Sequence, residues 1–200
     1  MSALASASRK ECTLLLLRGL DPATGADSLL LGEKKRGFGM GKFNGFGGKV
    51  DPGETLLAGA LREMAEESGV SVPPSSARYV GHLLFTFLGR ELEELHVHVF
   101  SARAPFSGEP VETEEMRPSF FPVAALPFDR MWPDDRHWMP LFLRGARFRG
   151  VFEFSGHDVI LRHTLAEVGE GEASPCARVP DPATAVLVER GAPPQTAVDF

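Results

Sequence analysis

The sequence predicts an α+β domain. Short apolar runs of strand length, separated by clusters of turn residues, fill the stretch from Thr13 to Val168, and one segment among them carries a clear helical period. The composition is that of a folded globular chain, with 43% hydrophobic and 24% charged residues over 200 positions. At roughly 150 residues per domain, this length provides one sizeable core and an appended segment.

Thr13 to Leu17 and Ser28 to Gly32 read as strands joined by Asp21-Pro22-Ala23-Thr24-Gly25, the chemistry of a long hairpin loop. A glycine-dense stretch follows. Leu56 to Ser68 is the clearest helix: Leu57, Ala60, Leu61 and Met64 make one buried stripe, Glu54 or Thr55 stands near the N-cap, and Gly69 sits where a left-handed C-terminal residue is wanted. Leu83 to Leu88 and His96 to Phe100 read as further strands, and Val159 to Val168 as a second helix. Residues 1–12 are expected to form a flexible N-terminus and 13–168 the domain. Residues 169–200, rich in Gly, Pro, Ala and Glu, have too few large apolar side chains for a second core and are expected to be a disordered tail.

Charge and hydropathy exclude several roles. With 27 acidic and 21 basic residues the chain carries a net charge of −6, which repels nucleic-acid polymers and acidic membrane surfaces. The apolar run Leu14 to Leu17 stops at Arg18, far short of the ~20 residues of a membrane span. Cys12 and Cys176 have neither disulfide nor metal spacing and read as reduced thiols. A cytoplasmic monomer is expected, with nucleus or mitochondrion as alternative compartments.

The segment richest in chemistry is Gly48-Lys49-Val50-Asp51-Pro52-Gly53-Glu54, continuing through the helix to Val70. Glu63, Glu66 and Glu67, at i, i+3 and i+4, project together from one helix face. Like charges at these offsets repel by a few tenths of a kcal/mol per pair, so the patch is either a solvated acidic face or a place for a cation. Mg²⁺ takes hard oxygen ligands and bridges carboxylates to phosphates, which makes phosphate chemistry the informative alternative.

Residues 48–70 resemble the Nudix box, G-x5-E-x7-R-E-U-x-E-E-x-G-U with U aliphatic, and every specified position is filled, Met64 and Val70 at the U sites included. Chance alone produces this pattern on the order of 10⁻⁷ times in such a chain. The resemblance implies a Nudix fold, a mixed sheet between helices, and Mg²⁺-dependent hydrolysis of a nucleoside diphosphate linked to another group. By position it makes Glu63, Glu66 and Glu67 metal-binding carboxylates, Arg62 the residue that orients them, and Gly47 the donor of a backbone carbonyl. Glu115 matches a further acidic position near the metals. No single general base is assigned.

Beyond the box, Lys34 to Val50, Glu115-Met116-Arg117-Pro118, Met131-Trp132-Pro133-Asp134-Asp135 and Val159-Ile160-Leu161 resemble the MutT-homologue branch of the family, whose members act on oxidised purine nucleoside triphosphates. That likeness implies conversion of 8-oxo-dGTP and 2-hydroxy-dATP to monophosphate and pyrophosphate, which removes mutagenic precursors from the nucleotide pool. It places Trp132 as a stacking plane and Asn44, Asp134 and Asp135 as readers of the base edge, with Thr13, Lys34, Phe38, Phe85, Phe87, Leu95, Trp138 and Phe154 as further substrate contacts. Oxidation at C8 of guanine puts a proton on N7, so an acceptor that guanine repels can now receive a hydrogen bond. Two adjacent acids in a closed apolar pocket share a proton, because burial and mutual repulsion raise at least one pKa.

Taken without the resemblance, Trp132 to Asp135 reads as a surface turn, Lys34-Lys35-Arg36 as a solvated basic run, and His96 with His98 as a polar sheet face. The chain departs from the branch in a longer loop at Asp21 to Asp27, an added residue within Arg90 to Glu94, Leu95 in place of a methionine, and the tail. Two other functions stay open at this point. One is a Nudix hydrolase of ADP-ribose, a dinucleotide or capped RNA; the other is a catalytically silent nucleotide-binding module.

Overall fold

Four successive leucines, Leu14 to Leu17, form a stable strand only if both faces of that strand are covered. In the computed structural model, which describes residues 8–89 and 93–169, they lie in β1 (Ser8–Leu20), paired antiparallel with β2 (Asp27–Lys34) and parallel with β5 (Glu93–Arg103). Leu14 and Leu16 enter one core with Leu29 and Leu31, while Leu15 and Leu17 enter the other with Leu30 and Phe46. Each such buried side chain contributes roughly 1.5–3 kcal/mol, so β1 anchors both layers. Residues 170–200, and with them the expected tail and Cys176, lie outside the described residues, as do residues 1–7 and 90–92.

The sheet runs β3 (Phe43–Asn44), β2, β1, β5, β4 (Ala77–Phe87), β7 (Arg147–Ser155), β8 (Val159–Val168), with β6 (Met116–Pro122) paired to β2. The β1–β5 and β4–β7 pairs are parallel and the others antiparallel, which makes the sheet mixed, as expected. Helix α1 (Leu56–Ser68) places Ala60 and Met64 in the core around Leu15, and α2 (Asp135–Leu143) places Trp138, Met139 and Phe142 in the core around Leu16. The sheet therefore lies between the two helices.

Helix α1 has the predicted bounds. Thr55 is the N-cap, its Oγ1 accepting from Ala58 N–H at 3.1 Å, and Gly69 closes the helix at φ 75°. The buried stripe includes Glu67 as well as Ala60 and Met64, while Leu57 and Leu61 are half-buried.

Three expectations need correction. First, β1 begins at Ser8, because residues 8–12 pair with 93–97 of β5 even though Arg9, Lys10 and Glu11 break the apolar pattern. Second, Val159 to Val168 is strand β8. Its β-branched Val159, Ile160 and Thr164 suit a pleated surface, and pairing with β7 from Ser155↔Val159 to Arg147↔Val168 overrides the short helical period. Third, the turn at Trp132 to Asp135 is not on the surface, since Asp134 and Asp135 are buried, and it opens a helix the sequence did not reveal, α2, which carries Pro140 within it. No helix among the described residues is long and apolar enough to cross a membrane.

Candidate active site

The glycines before α1 let its acidic face close on the sheet. Thr13 N–H donates to Gly48 O at 2.8 Å and Leu15 N–H to Phe46 O at 2.7 Å, so strand alternation turns the Gly47 N–H away from β1 although its Cα lies tight against that strand. Its N–H donates to Glu67 Oε2 at 3.1 Å. A Cβ at Gly47 would lie 2.0 Å from Thr13 O, and one at Gly48 2.4 Å from Glu63 Oε1; only glycine permits this approach.

Arg62 ties the acidic face together. Its Nε and Nη2 donate to Glu54 at 3.0 and 3.1 Å, its Nη1 to Glu63 Oε1 at 2.9 Å and Glu66 Oε2 at 3.1 Å, and its Nη2 also to Lys49 O at 3.2 Å. Repulsion among three carboxylates is thereby relieved by one guanidinium. Across the depression Lys34 Nζ stands 3.2 Å from Glu67 Oε1 and 2.9 Å from Glu115 Oε2, and Arg36 Nη2 stands 2.6 Å from Glu115 Oε1. Burial pushes the Glu67 pKa up, against the pull of Gly47 N–H and Lys34. Hydrogen bonds from Lys34 and Arg36 hold Glu115 below the ordinary range.

Lys34, Gly47, Glu63, Glu66, Glu67 and Glu115 line one depression of about 720 Å³. Every residue named for the metal is brought to that place. The donors are carboxylate and carbonyl oxygens, the set that a hard divalent cation requires, and Lys34 already places a positive charge between two of them. Among the described residues no three His, Cys, Asp or Glu side chains form a ready-made ion cage, and Arg62 and Lys34 hold these carboxylates in ion pairs.

The depression adjoins a cavity of about 640 Å³ with which it shares Lys34, Gly47, Gly48, Lys49 and Glu115. All twelve residues named for substrate line it: Thr13, Lys34, Phe38, Asn44, Phe85, Phe87, Leu95, Trp132, Asp134, Asp135, Trp138 and Phe154. It is apolar along β4, β5 and β7 and polar at the start of α2. Asp134 and Asp135 are only 5% and 2% exposed. Asp134 Oδ2 accepts from Trp138 Nε1–H at 3.0 Å, and Asp135 Oδ2 from Trp132 N–H at 2.8 Å. Burial pushes the Asp134 pKa up to about 6 against the Trp138 bond, and it pushes Asp135 well above the carboxylate range, with the charge of Asp134 adding to the rise. Burial thus favours the protonated form of both carboxyls.

The rest of the polar wall is oriented too. Asn44 Oδ1 accepts from Gly45 N–H at 2.8 Å, which leaves the amide's N–H groups as its other hydrogen-bonding function. Thr13 Oγ1 is buried and has no hydrogen-bond partner among the described residues. Phe38 stacks on Trp132 with ring centres 4.8 Å apart. The sequence reading missed Lys42 and His157, which also line the cavity and reach it from loops.

His96 and His98 stand on the sheet face opposite the cavity-lining Leu95 and Val97, as strand alternation requires. His82 stacks on both, His96 Nε2 is 3.1 Å from Glu94 Oε2, and His98 Nε2 is 2.7 Å from Glu11 Oε2. Burial and the neighbouring imidazoles depress the His82 pKa to about 3, burial lowers that of His98, and the three rings make a polar sheet face.

Residues 20–142 match the family model described as the NUDIX domain. The chain is 51% identical over 140 residues to the oxidized purine nucleoside triphosphate hydrolases of Danio rerio and Mus musculus, covering 70% of this chain and 87% of each relative. Among solved structures, the MutT protein from Bacillus halodurans superposes with a TM-score of 0.67 at 22% identity, covering 78% of this chain and 97% of that one, a likeness of fold. The complete box, its acidic face folded over Gly47 and Gly48, and a family match spanning more than half its length make this chain a member of the NUDIX family.

Proposed function

We propose that this chain hydrolyses oxidised purine nucleoside triphosphates, 8-oxo-dGTP and 2-hydroxy-dATP, to the monophosphate and pyrophosphate with Mg²⁺ as cofactor. The names of the relatives at 51% identity support the substrate class. The observation that carries the reading is a buried pair of adjacent carboxyls with raised pKa, Asp134 and Asp135, beside Trp132 in a cavity that shares Lys34, Gly47, Gly48, Lys49 and Glu115 with the acidic depression.

Glu63, Glu66, Glu67, Glu115 and the Gly47 carbonyl would hold Mg²⁺, which when bound neutralises charge on the phosphoryl oxygens and activates the attacking water. Arg62 fixes the orientation of Glu63 and Glu66, and Lys34, at the junction of depression and cavity, meets the triphosphate. The Trp132 ring stacks on the base, an interaction worth roughly 1–3 kcal/mol. Asn44 donates from its amide nitrogen. Of the two aspartates one donates an O–H and the other accepts, and exchange of the proton between them lets one cavity read both a guanine-type and an adenine-type edge. Free nucleotides in the cytoplasm are the substrate, and a monomer contains every group named.

Turnover of 8-oxo-dGTP, 2-hydroxy-dATP, dGTP and ADP-ribose, compared with Mg²⁺ present, tests the reading. The oxidised purines are expected to be turned over with the highest kcat/KM. A preference for ADP-ribose, or no pyrophosphate from any of the triphosphates, would contradict it.

A further inference from the structure

The β7–β8 hairpin turn, Gly156-His157-Asp158 between the paired Ser155 and Val159, reaches the rim of the cavity. We infer that His157 is a positioning residue for purine binding, whose imidazole pins Phe38 against Trp132 so that loop 37–42 forms a wall of the cavity. The inference rests on the purine reading of that cavity.

Phe38 is 58% exposed, so burial alone does not fix its ring. Two ring contacts do. Its face stacks on Trp132 at 4.8 Å with 27° between planes, and His157 meets it edge-on at 4.7 Å and 76°. His157 also meets Phe87, which lines the same cavity, at 5.9 Å and 66°. The other end of the loop is tied to the same turn, for Lys42 Nζ lies 2.9 Å from Asp158 Oδ1 and 4.9 Å from the centre of the Trp132 ring. Hydrogen bonds from Gly41 N–H to Lys34 O and from Lys34 N–H to Lys42 O hold the loop to the end of β2. The turn therefore holds the outer side of a loop whose base is fixed by β2.

A ligand that stacks on Trp132 must share that ring with Phe38. Holding Phe38 in place beforehand removes an ordering cost from binding and leaves the phosphate chemistry untouched, so the effect falls on KM rather than kcat. The contact is a ring edge against a ring face, which phenylalanine can supply and alanine cannot.

Three proteins decide the matter: wild type, His157→Ala and His157→Phe. Each is measured for kinetics with 8-oxo-dGTP, quenching of tryptophan fluorescence by 8-oxo-dGMP, melting temperature, and amide hydrogen exchange of residues 37–42 without nucleotide. H157A is expected to raise KM and weaken 8-oxo-dGMP binding by about 2- to 10-fold, with kcat and melting temperature unchanged and faster exchange in the loop. H157F is expected to restore all of these. Equal behaviour of H157A and wild type, or equal impairment of H157A and H157F, would overturn the inference. If the wild type turns over no oxidised purine triphosphate, the functional reading fails instead, and the exchange rates still decide whether His157 holds the loop.

Discussion

The ammonium of Lys34 stands 3.2 Å from Glu67 Oε1, at the wall shared by the acidic depression and the ring-lined cavity. A side-chain cation thus occupies negative potential that a divalent ion would also seek. Lys34→Met is expected to bind Mg²⁺ severalfold more tightly than wild type in the absence of nucleotide, measured by calorimetry, while its KM for the triphosphate rises. Unchanged or weaker Mg²⁺ binding would show that Lys34 does not compete for the site.

Arg62 relieves repulsion among Glu54, Glu63 and Glu66, and no other guanidinium among the described residues contacts these three. Arg62→Met is expected to lower hydrolysis about 10- to 100-fold, the range for groups that orient metal-binding side chains. Its melting temperature should fall as well, and by less at high salt, where repulsion between exposed carboxylates is screened.

Glu67 belongs to the depression and does not line the cavity. Glu67→Gln should therefore lose at least about 10²-fold in kcat and still bind 8-oxo-dGMP as wild type does, read by tryptophan quenching. Loss of both together would place Glu67 in folding or base recognition.

The aspartate pair gives a pH signature in stability. Below about pH 4 Asp134 is protonated both folded and unfolded and contributes nothing. As pH rises toward about 6, the pKa that burial gives it, the unfolded chain releases a proton that the folded chain keeps, so stability falls. Above that the cost is constant, with an upper bound on the order of 3 kcal/mol. Asp134→Asn keeps an acceptor for Trp138 Nε1–H and removes the ionisation. Its melting temperature is expected to match wild type near pH 4 and exceed it by several degrees at pH 7.5. Activity on the two oxidised purines should fall unequally in D134N and D135N, since each variant fixes one arrangement of donor and acceptor. Unchanged activities and pH profiles in both variants would exclude proton exchange between them.

Features that depend on spacing along one element were legible in the sequence. The bounds of α1 and its clustered glutamates follow from a period of 3.6 residues, and its caps from local residue chemistry, Gly69 outright and Thr55 as one of two candidates with Glu54. The base-cavity residues were legible only through likeness to a family, because Asn44, Phe85, Trp132 and Phe154 come from β3, β4, the approach to α2 and β7 and line one cavity only once these are assembled. His157 and Lys42 escaped notice for the same reason: a turn and a loop reach the cavity only once the sheet is assembled. The ion pair from Lys34 to Glu67 likewise joins β2 to α1, 33 positions apart. In β8 the sequence misled outright, since Leu161, Leu165 and Val168, at i, i+4 and i+7, fit a helical stripe when no partner strand is in view.

A crystal structure of the Glu67→Gln protein with 8-oxo-dGTP and Mg²⁺ tests the central assignment most directly. The purine ring is expected against Trp132 with its edge on Asp134 and Asp135, and the phosphates over Glu63 and Glu66 with metal density between. A base bound away from Trp132, or glutamates facing only solvent beside an ordered triphosphate, would contradict it.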